Sequence, residues 1–168
     1  MITADWVRMM AHYAAWQNAA QIAALGDVDA EAFEAARGSF FGSIRGTLNH
    51  LLWADRMWMS RLAGMAQPSS GSIAMSVEET PDRDAYIAAR LEHDRAVGQW
   101  AAGLTDAELR GDLTWYSGAA GREIARPLAL CVTHMINHGT HHRGQIHAML
   151  TAAGARPGDT DLFLMPGL

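Results

Sequence analysis

Apolar residues recur every three to four positions in four long segments of the chain, and polar residues fill the positions between them. This spacing is typical of amphipathic helices, each of which must bury one face. The predicted bounds are Thr3 to about Leu25, Ser39 to Leu62, Pro81 to Ala102, and Pro127 to Ala153. We therefore predict an all-α fold, a four-helix bundle with one long crossover connection, in which residues 1–168 form a single domain.

The segments between the predicted helices differ in character. We expect a loop or short turn around residues 31–38, and the stretch Gln67–Ser72 is typical of a linker. Thr80-Pro81 has the pattern of an N-cap followed by the first helical residue. The sequence pattern of residues 111–127 predicts either a short β-hairpin or an irregular excursion around a glycine-rich turn. The tail from Asp159 to Leu168 contains several apolar residues, so we expect it to be extended and packed.

The last predicted helix is rich in histidine. Four of the eight histidines lie between His134 and His142, and His147 follows. On a helical wheel, His142 falls within the apolar stripe and His138 lies at its edge, whereas His134 and His141 lie further round and His147 lies on the other flank. Residues four apart share a helix face, and neutral imidazole binds transition metals. The stripe consists of Leu128, Cys131, Val132, Met135, Ile146, Met149 and Leu150.

A metal held by His138 and His142 needs a further ligand from another helix. The candidates are His12, His50 and His93. His93 lies in a charged stretch and is expected on a solvated face, and His12 is ambiguous. His50 lies in the middle of the most apolar helix, so we predict a site formed by His50, His138 and His142. The alternative is that these histidines are ordinary core residues with polar partners.

Groups for acid–base chemistry are harder to predict. Asp55 falls on an apolar stripe, where its carboxylate could accept a hydrogen bond from a ligand imidazole or form an ion pair with an arginine. His141 is the nearest spare histidine. For both residues, a purely structural role is the alternative. Four aromatic residues could line an apolar pocket beside the metal or simply belong to the core: Trp53, Trp58, Trp115 and Tyr116.

Composition narrows the range of functions. The net charge is −5, which argues against a nucleic-acid partner. The chain has 13 arginines and no lysine, which excludes Schiff-base chemistry. Cys131 is the single cysteine, so an intramolecular disulfide and a cysteine-rich zinc site are excluded as well. There is no signal-peptide pattern and no apolar run as long as a membrane span, so we expect a cytoplasmic protein without a membrane partner.

Three motifs resemble those of the DinB/YfiT-like family of metalloenzymes. The most specific is His138-Gly-Thr-His-His142-Arg-Gly-Gln145, and a mid-helix histidine precedes it in Leu48-Asn-His50-Leu-Leu-Trp-Ala-Asp55. The segment Met10-Ala-His-Tyr-Ala-Ala-Trp16-Gln-Asn18 is similar to the opening Tyr-Asn-x-Trp-x-Asn of that family, with Ala14 in place of the usual asparagine. The resemblance spans most of the chain.

The resemblance implies a four-helix bundle, often a homodimer, that holds a divalent metal, zinc or nickel, with three histidines. These match His50, His138 and His142. It also implies a small-molecule substrate and a low-molecular-weight thiol as co-substrate. An ion held by three neutral histidines lowers the pKa of bound water or thiol, so the expected enzyme is a hydrolase or a thiol-dependent transferase. The alternatives are a non-catalytic metal- or ligand-binding bundle and an accessory factor of a stress or DNA-damage response.

Overall fold

Four long helices form the bundle that the sequence pattern predicts. The structure, a computed structural model, describes residues 2–118 and 120–167. Within these residues the α-helices are α1 (Ala4–Ala24), α2 (Ala30–Glu34), α3 (Ile44–Ala63), α4 (Arg83–Gly103) and α5 (Leu128–Ala152). Helix α1 packs against α4 and α5, and α3 packs against α5 and α4. The prediction of an all-α four-helix bundle is confirmed, and none of the described helices is long and apolar enough to cross a membrane.

Two apolar clusters fill the bundle, one towards each end. The larger surrounds the C-terminal half of α5, with Leu48, Leu51 and Leu52 of α3 packed against Ile146 and Leu150. The smaller lies at the other end, and its members are Ala4, Val7, Ala101, Leu104, Leu109 and Val132. The polar side chains of α3 and α5 that concern function lie between these two clusters.

A two-stranded antiparallel hairpin precedes α5. Its strands are β1 (Asp112–Ser117) and β2 (Arg122–Pro127), with Trp115 opposite Ile124. Of the two structures predicted for residues 111–127, the hairpin is therefore the correct one, although Ala119 lies outside the described residues. The ring of Trp115 meets the ring of Trp58 edge to face, with centroids 5.7 Å apart, which holds the hairpin against α3.

Several predicted boundaries are wrong, and side-chain capping explains most of the differences. Residues 30–34 form the short helix α2, because the Asp29 carboxylate accepts a hydrogen bond from the amide of Ala32. Helix α3 begins at Ile44, where Ser43 caps it, and not at Ser39. The N-cap of α4 is Asp82, because the Thr80 hydroxyl donates instead to the side-chain oxygen of Asn49.

The connection between α3 and α4 is bound to the bundle and is no free linker. The Trp53 indole donates to the carbonyl of Ser70, and the Asn49 amide donates to the carbonyls of Val77 and Thr80. The buried Glu79 carboxylate accepts three further hydrogen bonds from the Ser69–Ser70 segment and pairs with Arg56 at 2.6 Å. These bonds fix the segment over the middle of α3.

The tail prediction is correct only in part. The backbone of Asp159 and Thr160 accepts hydrogen bonds from Gln17 and Tyr13 of α1, and Met165 is buried. Residues Leu162–Leu164 form a short 3-10 turn, and Phe163 is 77 % exposed. Leu168 lies outside the described residues. Polar contacts and the buried Met165 therefore hold the tail against the bundle, and the apolar residues Leu162–Leu164 contribute less.

Candidate metal centre

His50, His138 and His142 meet between α3 and α5. One ring nitrogen of each lies within 4.8 Å of the other two. The Nε2 atoms of His138 and His142 are 3.1 Å apart, and the ring centroid of His50 lies 4.8 Å from that of His142. His50 and His142 are buried, whereas His138 is partly open. The structure thus brings together the three histidines that the sequence predicts, with a spacing that suits one shared ion.

Ser76 fixes the tautomer of His50. Its hydroxyl donates to the carbonyl of Ile73 at 2.6 Å, so its Oγ accepts the 2.9 Å hydrogen bond from Nδ1–H of His50. The proton on Nδ1 leaves the lone pair on Nε2. Ligand histidines generally donate their second ring N–H to such a partner, which orients the ring.

Gln145 does the same for His142. Its side-chain oxygen lies 2.8 Å from Nδ1 of His142, one turn further along α5, and accepts from Nδ1–H. The lone pair on Nε2 of His142 therefore faces Nε2 of His138. Nδ1 of His138 is buried and has no hydrogen-bond partner among the described residues. Without an ion, His138 can donate a hydrogen bond to Nε2 of His142 only if its single ring proton is on its own Nε2.

This arrangement fits a divalent cation. Three neutral imidazoles supply nitrogen donors of the kind that zinc and nickel prefer. A cation removes the repulsion between facing lone pairs and lets His138 adopt the same tautomer as its neighbours. Burial of two nearby polar side chains without such a partner is unfavourable. The donor set of the cluster therefore supports the metal hypothesis over the interpretation as ordinary core residues.

All three ligand candidates are held in the neutral state that binds metals. Burial lowers the pKa of His50 to about 3, with further lowering from His142 and His138. Burial and the neighbouring histidines lower the pKa of His138 to about 4. The pKa of His142 is also lowered, chiefly by burial. Because protonated imidazole cannot coordinate, these shifts keep the cluster competent at neutral pH.

Aromatic rings border the cluster on two sides. Phe41, in the turn before α3, stacks on His50 with centroids 3.6 Å apart. Gly46 allows this approach, because a Cβ at that position would lie 2.1 Å from the carbonyl oxygen of Phe41. On the other side, the ring of His134 lies 5.7 Å from that of His138 and 5.0 Å from that of Trp58.

The remaining histidines lie apart from this cluster or on its rim. His12 is exposed, His141 is exposed beside His142, and His147 borders a separate cavity between α1 and α5. The prediction for His93 is wrong: it is buried, and its surroundings lower its pKa to about 3, through burial first and then through the charges of Arg90 and Arg56. Glu92 beside it is exposed, whereas His93 lines a cavity between α4 and the connection.

Asp55 takes part in an ion pair, the second of its two predicted roles. Its Oδ2 lies 2.7 Å from Nη1 of Arg90, whose Nη2 is 2.5 Å from Asp94. Asn18 donates to Asp94 as well. Arg143 lines the same cavity as these two carboxylates, and burial lowers its pKa, which Asp55 and Asp94 raise only in part. This charge network (Asn18, Asp55, Arg90, Asp94 and Arg143) draws at least one residue from each of the four long helices.

Comparisons with known proteins agree with the family resemblance of the sequence and with the helical fold. The family model described as DinB family matches residues 1–166. The chain belongs to the DinB family. It is 23 % identical over 160 residues to Protein DinB of Bacillus subtilis (strain 168), covering 95 % of this chain and 93 % of that protein. The fold also resembles the crystal structure of a DinB-like protein from Bacillus cereus ATCC 10987, with a TM-score of 0.58 and 15 % identity over 86 % of this chain and 90 % of the other.

Sequence reasoning missed the partners of the three clustered histidines. Ser76 lies in the connection, 26 residues from His50, and nothing in its local sequence indicates that contact. The helix predicted from Ser39 includes Phe41, which lies in a turn. Gln145 could have been found, because it lies three residues after His142 on the same helix, where side chains meet.

Proposed function

We propose that this DinB-family chain is a divalent-metal-dependent enzyme that acts on a small molecule. The observation that carries the proposal is the meeting of His50, His138 and His142 within 4.8 Å, with two of the three ring tautomers fixed by Ser76 and Gln145. Catalytic zinc sites use three protein ligands and keep one position open, whereas structural sites use four. Among the described residues no fourth histidine, cysteine or carboxylate joins the cluster.

The reaction class that best suits such a site is hydrolysis or thiol-dependent group transfer. A zinc or nickel ion there would act as a Lewis acid that lowers the pKa of a water or a low-molecular-weight thiol. The protein's own part is to keep the three imidazoles neutral and oriented and to limit water with the rings of Phe41 and Trp58.

Of the two groups considered for proton transfer, His141 is the better placed. Its ring lies 4.9 Å from that of His142 and is exposed, so it can exchange protons with solvent. Asp55 is held by Arg90 in the charge network, where its carboxylate balances a buried cation. We therefore propose His141 as the proton carrier and a structural role for Asp55.

A non-catalytic metal-binding bundle is the second candidate. The stacking of Phe41 on His50 favours it, because this contact covers one side of the cluster. Turnover separates the two functions. Protein stripped with a chelator should gain activity in thiol-transfer or ester-hydrolysis assays when zinc or nickel is added, and His142→Ala should abolish the gain.

The matched control is His147→Ala, on the same helix but on its other flank, which should retain the metal-dependent rate. Metal binding without turnover in any of these assays would favour the non-catalytic bundle. Equal turnover by the stripped protein, or by His142→Ala, would contradict a metal-dependent enzyme.

A further inference from the structure

Arg61 lies on the same face of α3 as His50. The two residues are eleven positions apart, which is three helical turns. The guanidinium carbon of Arg61 lies 5.0 Å from the ring centroid of Trp58 and 5.5 Å from that of Trp115. The side chain is thus folded back along α3, over a residue that precedes it, in the direction of the metal centre.

The Arg61 cation has no acidic partner. No carboxylate oxygen of residues 2–118 and 120–167 lies within 4.0 Å of it, although the side chain is half-buried. Burial lowers its pKa, yet arginine stays charged at neutral pH. An unpaired, partly desolvated cation in an acidic protein favours an anion from outside.

A continuous wall of rings joins Arg61 to the metal centre. From His138 the next ring is His134, at 5.7 Å, and then Trp58, at 5.0 Å. Three turns of α3 rise about 16 Å, and the side chain of Arg61 folds back by about one turn, which leaves about 11 Å to span. An extended molecule the length of a tripeptide, about 10 Å, matches this distance.

We propose that Arg61 binds a carboxylate at the far end of the small molecule whose reactive end lies at the three histidines. The inference rests on the proposed function for the metal centre and adds the chemical class of its substrate. Stacking against Trp58 and Trp115 fixes the plane of the guanidinium and leaves its N–H edge free for a bidentate carboxylate pair. The intervening rings pack against the middle of the molecule.

The test uses two probes that share the glutathione backbone and differ in charge. Reduced glutathione carries two carboxylates, and its diethyl ester carries none. Cobalt(II)-loaded protein is titrated with each, and the visible absorption that accompanies thiolate coordination reports binding. We expect glutathione to bind at least about ten-fold more tightly than the ester, as a charge-assisted pair implies. Arg61→Gln should remove the preference, and Arg61→Lys should keep part of it.

The control is Arg95→Gln, which removes one exposed positive charge from α4 and should leave the preference intact. The inference is overturned if the unmodified protein binds the two probes equally, or if Arg61→Gln keeps the preference. An intact cobalt signal in the same titration shows that the proposed metal centre is not what failed. A folded Arg61→Gln protein is verified by its circular dichroism.

A second titration does not depend on the metal. S-methylglutathione and its diethyl ester, which have no free thiol, are added to stripped protein, and tryptophan fluorescence is followed. Stronger quenching by S-methylglutathione than by its ester, lost in Arg61→Gln, supports the inference. If this result is obtained and no cobalt–thiolate signal forms, only the proposed coordination of a thiol at the metal centre has failed. Equal quenching by both probes overturns it.

Discussion

Two polar clusters lie on opposite flanks of α5, and they differ in whether their own residues satisfy one another. The charge network contains Arg90 and Arg143 together with Asp55 and Asp94, so its charges balance. The candidate metal centre contains only neutral imidazoles whose free nitrogens face one another. A cluster that is balanced internally stabilises the fold, whereas a cluster of like electron-pair donors suits an ion from outside. Composition and geometry together therefore separate a structural cluster from a candidate binding site.

The largest effect is expected from breaking the charge network. Arg90 is fully buried, so Arg90→Met leaves Asp55 and Asp94 as buried charges with weaker compensation. Loss of one partner of a buried pair costs about 3–5 kcal/mol, which urea unfolding at neutral pH will measure. The zinc stoichiometry of the folded protein should not change. A loss of less than about 1 kcal/mol would mean that the network contributes little to stability.

A smaller effect, on metal affinity alone, is expected at Ser76. Ser76→Ala removes the acceptor that fixes the His50 tautomer, and the loss of such a partner weakens metal binding by about 10–100-fold. A competition titration with a chromophoric chelator measures the change. Ser60→Ala, which removes a hydroxyl bonded within α3 itself, is the matched control. Identical affinities in the two variants would show that the Ser76 contact does not orient a ligand.

The effect that is smallest at neutral pH isolates the contribution of a buried histidine, and it grows as the pH falls. His93 belongs to neither cluster, and its pKa is about 3. Below pH 6.5 histidine in the unfolded chain binds a proton while folded His93 does not, so the free energy of unfolding falls as pH drops from about 6.5 towards 3. In metal-free protein, His93→Phe should reduce this slope by up to about 1.4 kcal/mol per pH unit.

Exposed His12 provides the comparison for that experiment. The matched change is His12→Phe, which removes one imidazole from the surface. If the free energy of unfolding depends on pH equally in the two variants between pH 4 and pH 6.5, the burial of His93 is contradicted.

The helices and the three histidines could be predicted because both depend on local spacing. The i, i+4 relation placed His138 beside His142, and the apolar surroundings of His50 placed it inside the bundle. The partners of these residues could not be predicted. Ser76 reaches His50 only because Asn49, Trp53 and Glu79 bind the connection to α3, and such contacts between distant segments leave no periodic signal in the sequence.

His93 shows a second limit. Its neighbours Glu92 and Asp94 are charged, and this suggested an exposed face. Asp94 instead turns inward to Arg90, so the charged stretch straddles the boundary between core and surface. Charged residues on a helix predict solvent exposure only when they have no buried partner of opposite charge. Asp94 has such a partner, Arg90, one turn earlier on the same helix.

The central claim is that His50, His138 and His142 bind one divalent ion. Calorimetric titration of chelator-stripped protein with zinc tests it most directly, with the His50→Ala/His138→Ala/His142→Ala triple variant and a control triple variant at His134, His141 and His147. We predict a stoichiometry near one for the unmodified protein and the control, and no binding by the first triple variant. A stoichiometry near one that persists in the first triple variant would contradict the assignment.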